Sequence, residues 1–262
     1  NNRHIYIFGV IVKHIPRKRF GQNFLQDEAI IYRIVECINP QPAQVIIEIG
    51  PGLAALTKPL QQALGHLHVV ELDRDIIEIL KTKFTQEQLT IHDGDALKMD
   101  FSQFPTARVV GNLPYNISTP ILFHLSQFSN ITNMVFMLQK EVVERICAKP
   151  NSSDYGRLTI MLQYKFKCRY LLDVPPESFY PAPKVDSAIV SLTPRTDSDY
   201  SLVNEEKLNQ VVSKAFNQRR KTISNSLKGL ISIEQLASIG LNNMLRAENI
   251  AIEDYIKLSQ ML

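Results

Sequence analysis

Val45-Ile46-Ile47-Glu48-Ile49-Gly50-Pro51-Gly52 is an apolar run interrupted only by Glu48 and closed by two glycines around a proline. The first five residues read as a buried strand, because a short apolar run bounded by turn residues suits a sheet covered on both faces. The apolar pattern from Leu56 to Leu64 reads as a helix, with Gly65 as its C-terminal cap. A strand, a glycine turn and a helix N-terminus together form the phosphate or cofactor cradle of a doubly wound sheet. A second strand, Leu67 to Leu72, carries Glu71 twenty-one residues after Gly50, the separation at which an acid meets a ribose diol.

Gly50-x-Gly52-x-x-Ala55 also fits a loose dinucleotide fingerprint, so a nicotinamide enzyme competes with a methyltransferase here. Glu48 just before the turn and Pro51 within it favour an S-adenosylmethionine site, whose ligand has no pyrophosphate to seat on a helix. Further along, Asp75 to Phe84 reads as a helix and Leu89 to Ile91 as a third strand ending in His92-Asp93-Gly94-Asp95. An acid at that strand's carboxyl end can accept from an adenine amino group, and Asp95 is preferred to Asp93; two turn-forming acids are the plain alternative. Val109-Val110 reads as a fourth strand, Pro120 to Phe128 as a helix, Met134 to Leu138 as a fifth strand, and a further helix starts at Gln139. This alternation implies an α/β fold with a largely parallel sheet.

Gly111-Asn112-Leu113-Pro114-Tyr115-Asn116-Ile117-Ser118 leaves the fourth strand, with Ser118 or Thr119 placed to cap the next helix. The Asn112 amide oxygen and a neighbouring carbonyl, Leu113, can accept both hydrogens of an exocyclic amine. Pro114 fixes the backbone, and the Tyr115 ring offers a flat base a stacking surface. Alone, such a segment reads first as a proline turn with a half-buried tyrosine, and it is the rest of the chain that favours the base-binding reading. Lys165 to Val174 and Val185 to Leu192 read as a strand pair joined by a loop with four prolines, stiff enough to hold Phe179 as a second stacking face or to tuck it into the core.

Thr193 to Leu202 is rich in Thr, Asp, Ser and Pro and reads as a linker, after which residues 204–262 show helical patterns only. The expected division is a basic N-terminal extension (1–22), an α/β domain (23–195) and a small all-helical C-terminal domain (196–262). The formal net charge is only +3, but residues 1–21 and 213–228 contain Lys and Arg and no acid, which suggests a polyanionic partner. Cys37, Cys147 and Cys168 have no metal-ligand spacing, so no metal and reduced thiols in a cytoplasmic setting are expected, Cys37 and Cys147 as core residues. Ile5 to Val12 is too short an apolar run to span a bilayer and lacks a cleavage site, so neither membrane nor signal peptide is expected.

Six segments, in order along the chain, resemble the small-subunit ribosomal RNA adenine dimethyltransferase family of the bacterial KsgA type. They are Arg17-Lys18-Arg19-Phe20-Gly21-Gln22-Asn23-Phe24-Leu25, Glu48 to Leu53, Asn112 to Pro120, Met137 to Val142, Phe179 to Ser187 and Phe216 to Thr222. The resemblance implies a Rossmann-like class I methyltransferase domain with the helical C-terminal domain. It also implies transfer of methyl groups from S-adenosylmethionine to N6 of two adjacent adenosines near the 3′ end of 16S rRNA, in the small ribosomal subunit. By position, Asn23, Leu25, Gly50, Glu71, Asp95 and Asn112 would contact the cofactor, while Asn112, Leu113, Pro114, Tyr115 and Phe179 would hold the target base. Arg17, Lys18, Arg19, Arg219, Arg220 and Lys221 are the candidates for phosphate contacts. A cytoplasmic monomer acting on RNA and not DNA is the expectation. Relatives often carry a glycine where Ala54 stands, and the unmatched part is roughly residues 4–16, which are longer and more apolar than the resemblance leads one to expect. The rivals are a large-subunit methyltransferase of the antibiotic-resistance type, an assembly factor without catalysis and, more distantly, a DNA adenine methyltransferase.

Overall fold

The computed structural model describes residues 5–7, 10–12, 23–196 and 203–262. At the N-terminus β1 (Ile5–Ile7) and β2 (Val10–Val12) pair antiparallel, with Ile5 opposite Val12. Arg17, Lys18 and Arg19, and most of the expected 1–22 extension, lie outside the described residues. A second small ladder joins β3 (Phe24–Leu25) to a later strand.

The helix α1 (Glu28–Ile38) starts where Asp27 accepts hydrogen bonds from the Ala29 and Ile30 amides at 3.0 and 3.1 Å, and stops at Asn39, whose φ is +48°. Its apolar stripe, Ile30, Ile31, Ile34 and Ile38, is buried in the main core with Ile46, Leu60, Val69 and Val110. Each fully buried isoleucine contributes about 1.5–3 kcal/mol. The next elements are β4 (Val45–Ile49), α2 (Thr57–Leu64), β5 (Leu67–Glu71), α3 (Arg74–Lys83) and β6 (Leu89–Asp93). They are followed by β7 (Ala107–Asn112), α4 (Ser118–Leu125), β8 (Ile131–Gln139), α5 (Lys140–Cys147) and α6 (Arg157–Gln163). Finally come β9 (Phe166–Val174), β10 (Phe179–Tyr180), β11 (Ser187–Pro194) and helices at Glu205–Asn217, Ile223–Ser226, Ile233–Ser238 and Ile252–Ser259.

Seven strands form one sheet in the order β6-β5-β4-β7-β8-β11-β9. The pairs from β6 through β8 are parallel and β11 runs antiparallel to β8, so the sheet is the Rossmann-like one expected. The chain winds outward from β4 to β6, then returns to place β7 on the other side of β4. That reversal is the topological switch point, where ligands of open α/β sheets bind.

Several local expectations change. The strand read as Val109-Val110 runs from Ala107 to Asn112, because the polar Arg108 and small Gly111 that mask its pattern are themselves paired. The Arg108 guanidinium donates to the Ile38 and Asn39 carbonyls and to the side-chain oxygens of Gln44 and Asn133. Neither Ser118 nor Thr119 caps α4. Ile117 holds the cap position without a side-chain bond, and the Ser118 hydroxyl donates backwards to the Tyr115 carbonyl at 3.1 Å. Cys37, Cys147 and Cys168 are free but only part-buried, so Cys37 and Cys147 flank the core instead of filling it. The helix expected over Ile223 to Leu230 ends at Ser226, ahead of Gly229 at φ +78°. Ala54 takes φ +77°, a left-handed conformation that a glycine would hold without strain.

By compactness the chain forms two units, residues 1–143 with 170–192 and residues 144–169 with 193–262. In the second, Leu208, Val211, Val212 and Ala215 of the Glu205–Asn217 helix are buried. Two buried tyrosines close their hydroxyls on backbone there, Tyr155 on Ile250 O at 2.9 Å and Tyr255 on Ala247 O at 2.8 Å. Among the described residues no helix is long and apolar enough to cross a membrane.

On the β5–β6 edge of the first unit, His68 Nδ1 lies 3.2 Å from His92 Nε2, and both rings meet Phe104 edge-on. Burial, then the neighbouring imidazoles of His66 and His92, push His68 down to about 4. In the unfolded chain it protonates near its ordinary value, so its contribution is complete above about pH 6.5 and is lost as pH falls towards 4. His68→Gln is expected to flatten that acid limb by about 1–2 kcal/mol, the full shift being discounted for the exposed half of the ring. Urea unfolding at pH 7.5 and pH 5 measures this; equal slopes in both proteins would remove His68 from the acid response.

Candidate active site

At the switch point a cavity of about 250 Å³ opens at the carboxyl ends of β4, β5, β6 and β7. Its lining includes Asn23, Leu25, Gly50, Glu71 and Asp95 together with Asn112, Leu113, Pro114, Tyr115 and Phe179. Residues spread over more than 150 positions of sequence therefore meet in one cleft.

The cofactor side is built from strand ends. Gly50 leaves β4 at φ +67°, with its amide on the Val70 carbonyl at 3.0 Å, so the turn starts while still tied to β5. Glu71 Oε1 accepts from the Leu72 and Asp73 amides, both at 2.8 Å, which fixes the carboxylate at the strand end. Burial raises its pKa, and those same amide bonds work against the rise. Asp95 Oδ1 accepts from the Leu97 amide at 3.0 Å.

On the other side Asn112 is the last residue of β7, held opposite Met137 of β8. Its Nδ2 donates to the Asn23 carbonyl at 3.3 Å, which leaves Oδ1 as the free face of the amide. In the turn that follows, the Pro114 carbonyl accepts from the Ile117 amide and the Tyr115 carbonyl from Ser118 Oγ. The Leu113 carbonyl is left without a hydrogen bond among the described residues. The part-exposed Tyr115 ring has its hydroxyl 3.4 Å from Ser187 Oγ. Phe179 is both core and cavity wall, with 6% of its surface exposed. It lies directly opposite Leu25 in the β3–β10 ladder, and the Gln26 amide donates to the Ser178 carbonyl at 2.8 Å.

Sequence reasoning left several wall residues unassigned. Leu72 lines the cavity beside Glu71 with half its surface exposed, a cost that a bound flat ring would offset. Glu48 lines it too, almost wholly buried, with Oε2 unpartnered among the described residues. Of the basic candidates, Arg17, Lys18 and Arg19 are outside the described residues, and Arg219, Arg220 and Lys221 are not among the lining residues of the cavity. Arg219 binds within the helical unit, donating from Nε to Glu248 Oε2 at 2.6 Å and from Nη2 to the Ser153 and Tyr155 carbonyls. Most of its donors are thus committed to structure, whereas Arg220 and Lys221 are exposed.

The donor set fits S-adenosylmethionine. Three acidic side chains, Glu48, Glu71 and Asp95, line a cavity that has no cationic side chain among its lining residues, which suits a positively charged adenosyl ligand. Glu71 and Asp95 would hold the adenosine part and the Gly50 turn the remainder. When bound, the cofactor supplies an electrophilic methyl group on sulfur.

Residues 13–262 match the family model described as ribosomal RNA adenine dimethylase. The chain is 56% identical to ribosomal RNA small subunit methyltransferase A of Chromobacterium violaceum, over 95% of this chain and 97% of that protein. It is 52% identical to the protein of the same name from Laribacter hongkongensis, over 94% and 96%. Among solved structures, a dimethyladenosine transferase from Plasmodium falciparum aligns with a TM-score of 0.79 at 26% identity, covering 90% of this chain and 95% of that one. The 23S rRNA methyltransferase ErmE aligns at 0.73 and 25% identity, covering 92% and 99%. On this evidence the chain belongs to the ribosomal RNA adenine dimethylase family, the S-adenosylmethionine-dependent enzymes that dimethylate adenine in rRNA.

Proposed function

We propose that this enzyme acts on the small ribosomal subunit, converting two adjacent adenosines near the 3′ end of 16S rRNA to N6,N6-dimethyladenosine. The observation that carries the base assignment is the orientation of the Asn112 amide, whose nitrogen is spent on Asn23 O and whose oxygen is left to accept. An adenine amino lone pair is delocalised into the ring and is a poor nucleophile. Accepting its hydrogens on Asn112 Oδ1 and the Leu113 carbonyl favours a pyramidal nitrogen with the lone pair directed at the methyl donor. Rate enhancement then comes from positioning and fixed dipoles, with no strong base required. The base must leave its stack to reach the cleft. Stacking on Tyr115 and Phe179 offsets that cost by about 1–3 kcal/mol.

The choice of subunit is supported by 56% identity to a relative named for the small subunit, against 25% to one named for 23S rRNA. Arg220 and Lys221 are the exposed candidates for phosphate contacts, and a cytoplasmic monomer is the proposed working form. The test is incubation with labelled S-adenosylmethionine and, in turn, under-methylated small subunits, naked rRNA, large subunits and DNA, followed by nucleoside analysis. N6,N6-dimethyladenosine in small subunits alone is the expected result. Label in large-subunit RNA overturns the subunit assignment, and tight binding of small subunits without transfer leaves only an assembly role.

A further inference from the structure

The turn that leaves β4 is built in a conformation most residues avoid. Gly50, Gly52 and Ala54 all take positive φ, at +67°, +53° and +77°. The two glycines do so freely, whereas Ala54 carries a Cβ, buried in the main core, and is strained there. A strained residue persists only where its surroundings over-determine it. Backbone bonds supply part of that restraint. The Gly50 amide donates to Val70 O at 3.0 Å, the Ala54 amide to Pro51 O at 3.0 Å and the Lys58 amide to Ala54 O at 3.2 Å. The Gly52 amide donates to the Glu71 carboxylate. The Leu53 carbonyl, between Gly52 and Ala54, is held by a side chain instead. Lys83, the last residue of α3 and thirty positions further along the chain, donates to it from Nζ at 3.0 Å.

A lysine in the last turn of a helix ordinarily opposes the helix dipole or pairs with a surface acid. The setting of Lys83 is different. Burial, then the nearby Lys58 charge, lower its pKa, and no carboxylate offsets them. The ammonium gives up water and approaches a second cation in order to reach one carbonyl. Resting on the reading of this cavity as the S-adenosylmethionine site, we propose that Lys83 is a positioning residue for the cofactor: by holding the Leu53 carbonyl it keeps the strained Ala54 turn in the shape that receives the ligand. Gly50, Gly52, Leu53 and Ala55 line the cavity and Lys83 does not, so it acts through the turn and not on the ligand. Without its ammonium, the peptide between Leu53 and Ala54 is free to rotate and relieve the strain, and binding must then restore the competent shape. Were position 54 a glycine, there would be no strain to relieve and little for Lys83 to hold. Lys83 and Ala54 are thus two halves of one device.

The experiment is a double-mutant cycle read by calorimetric titration of S-adenosylhomocysteine, the cofactor without its reactive methyl. Wild type, Lys83→Met, Ala54→Gly and the double variant are compared at one pH. Lys83→Met is expected to weaken binding by about 5- to 10-fold, the worth of one hydrogen bond. In the Ala54→Gly background the same change is expected to cost less than about twofold, so the two sites are coupled and not additive. Lys83→Arg, which keeps a cation and a donor, is expected to recover most of the wild-type affinity. In steady-state transfer, Lys83→Met should raise KM for S-adenosylmethionine by a larger factor than it lowers kcat. A lysine that served only its own helix would lower the urea midpoint and leave every affinity equal, and that result overturns the proposal. So does an equal loss of affinity in the Ala and Gly backgrounds, which would break the link to the strained turn. Failure of wild type to bind S-adenosylhomocysteine would instead overturn the cofactor reading of the cavity, and this role of Lys83 with it.

Discussion

Gly111→Ala is expected to destroy the fold, with a loss above about 4 kcal/mol or no soluble protein at all. A Cβ at this position would stand 2.3 Å from the carbonyl oxygen of Ile49, and 3.3 Å from that residue's carbonyl carbon and amide nitrogen. All three are backbone atoms of β4, the strand to which Gly111 is paired in register. No side chain can move aside, so β4 and β7 would have to part at the switch point, where Gly50 and Asn112 follow directly. Gly156→Ala is the control: its added Cβ would meet only Asp154 O at 4.0 Å, and its φ of −166° is open to any residue. Urea unfolding of the two variants beside wild type decides the matter, and a Gly111→Ala midpoint equal to wild type would contradict this account of the β4–β7 contact.

The largest catalytic loss is expected at Asn112. Asn112→Ala should lower single-turnover methyl transfer by about 10²–10³-fold, the range found when one group aimed at the reacting centre is removed. Tyr115→Ala should lose the stacking contribution of about 1–3 kcal/mol, a factor of roughly 5 to 150. Tyr115→Phe should keep most activity, because the ring does the stacking and the hydroxyl makes only the 3.4 Å contact with Ser187. Calorimetry with S-adenosylhomocysteine separates the roles, since its affinity should change much less than turnover in all three. Near-normal turnover in both alanine variants would sink the base assignment.

How far the sequence disclosed these features depended on the range of the interaction. The β4 run, its glycine turn and Glu71 were legible because strand, turn and helix each carry a local signature, and the class of sheet follows from their alternation. The β3–β10 ladder was not, since two-residue strands have no period to detect. Asn23 and Leu25 entered only through the family resemblance. Arg219 read as part of a basic run because composition cannot reveal that Glu248 and the Ser153 and Tyr155 carbonyls would converge on it. The grouping of residues 144–169 with the C-terminal helices was equally hidden, as it rests on contacts between segments about fifty or more residues apart, such as Tyr155 with Ile250. Glu48 was visible as an acid in an apolar strand, but its almost complete burial is a property of packing alone.

For inhibitor chemistry the β3–β10 ladder sets a ruler. Leu25, proposed to touch the cofactor, and Phe179, proposed to stack on the base, face one another across a single antiparallel pair, where Cβ atoms stand about 4.5–5.5 Å apart. A compound that fuses an adenosyl half to a purine half therefore meets a partition of fixed thickness. Its linker can be made short and stiff, and a matched stiff linker turns two modest ligands into one of high avidity by raising effective concentration.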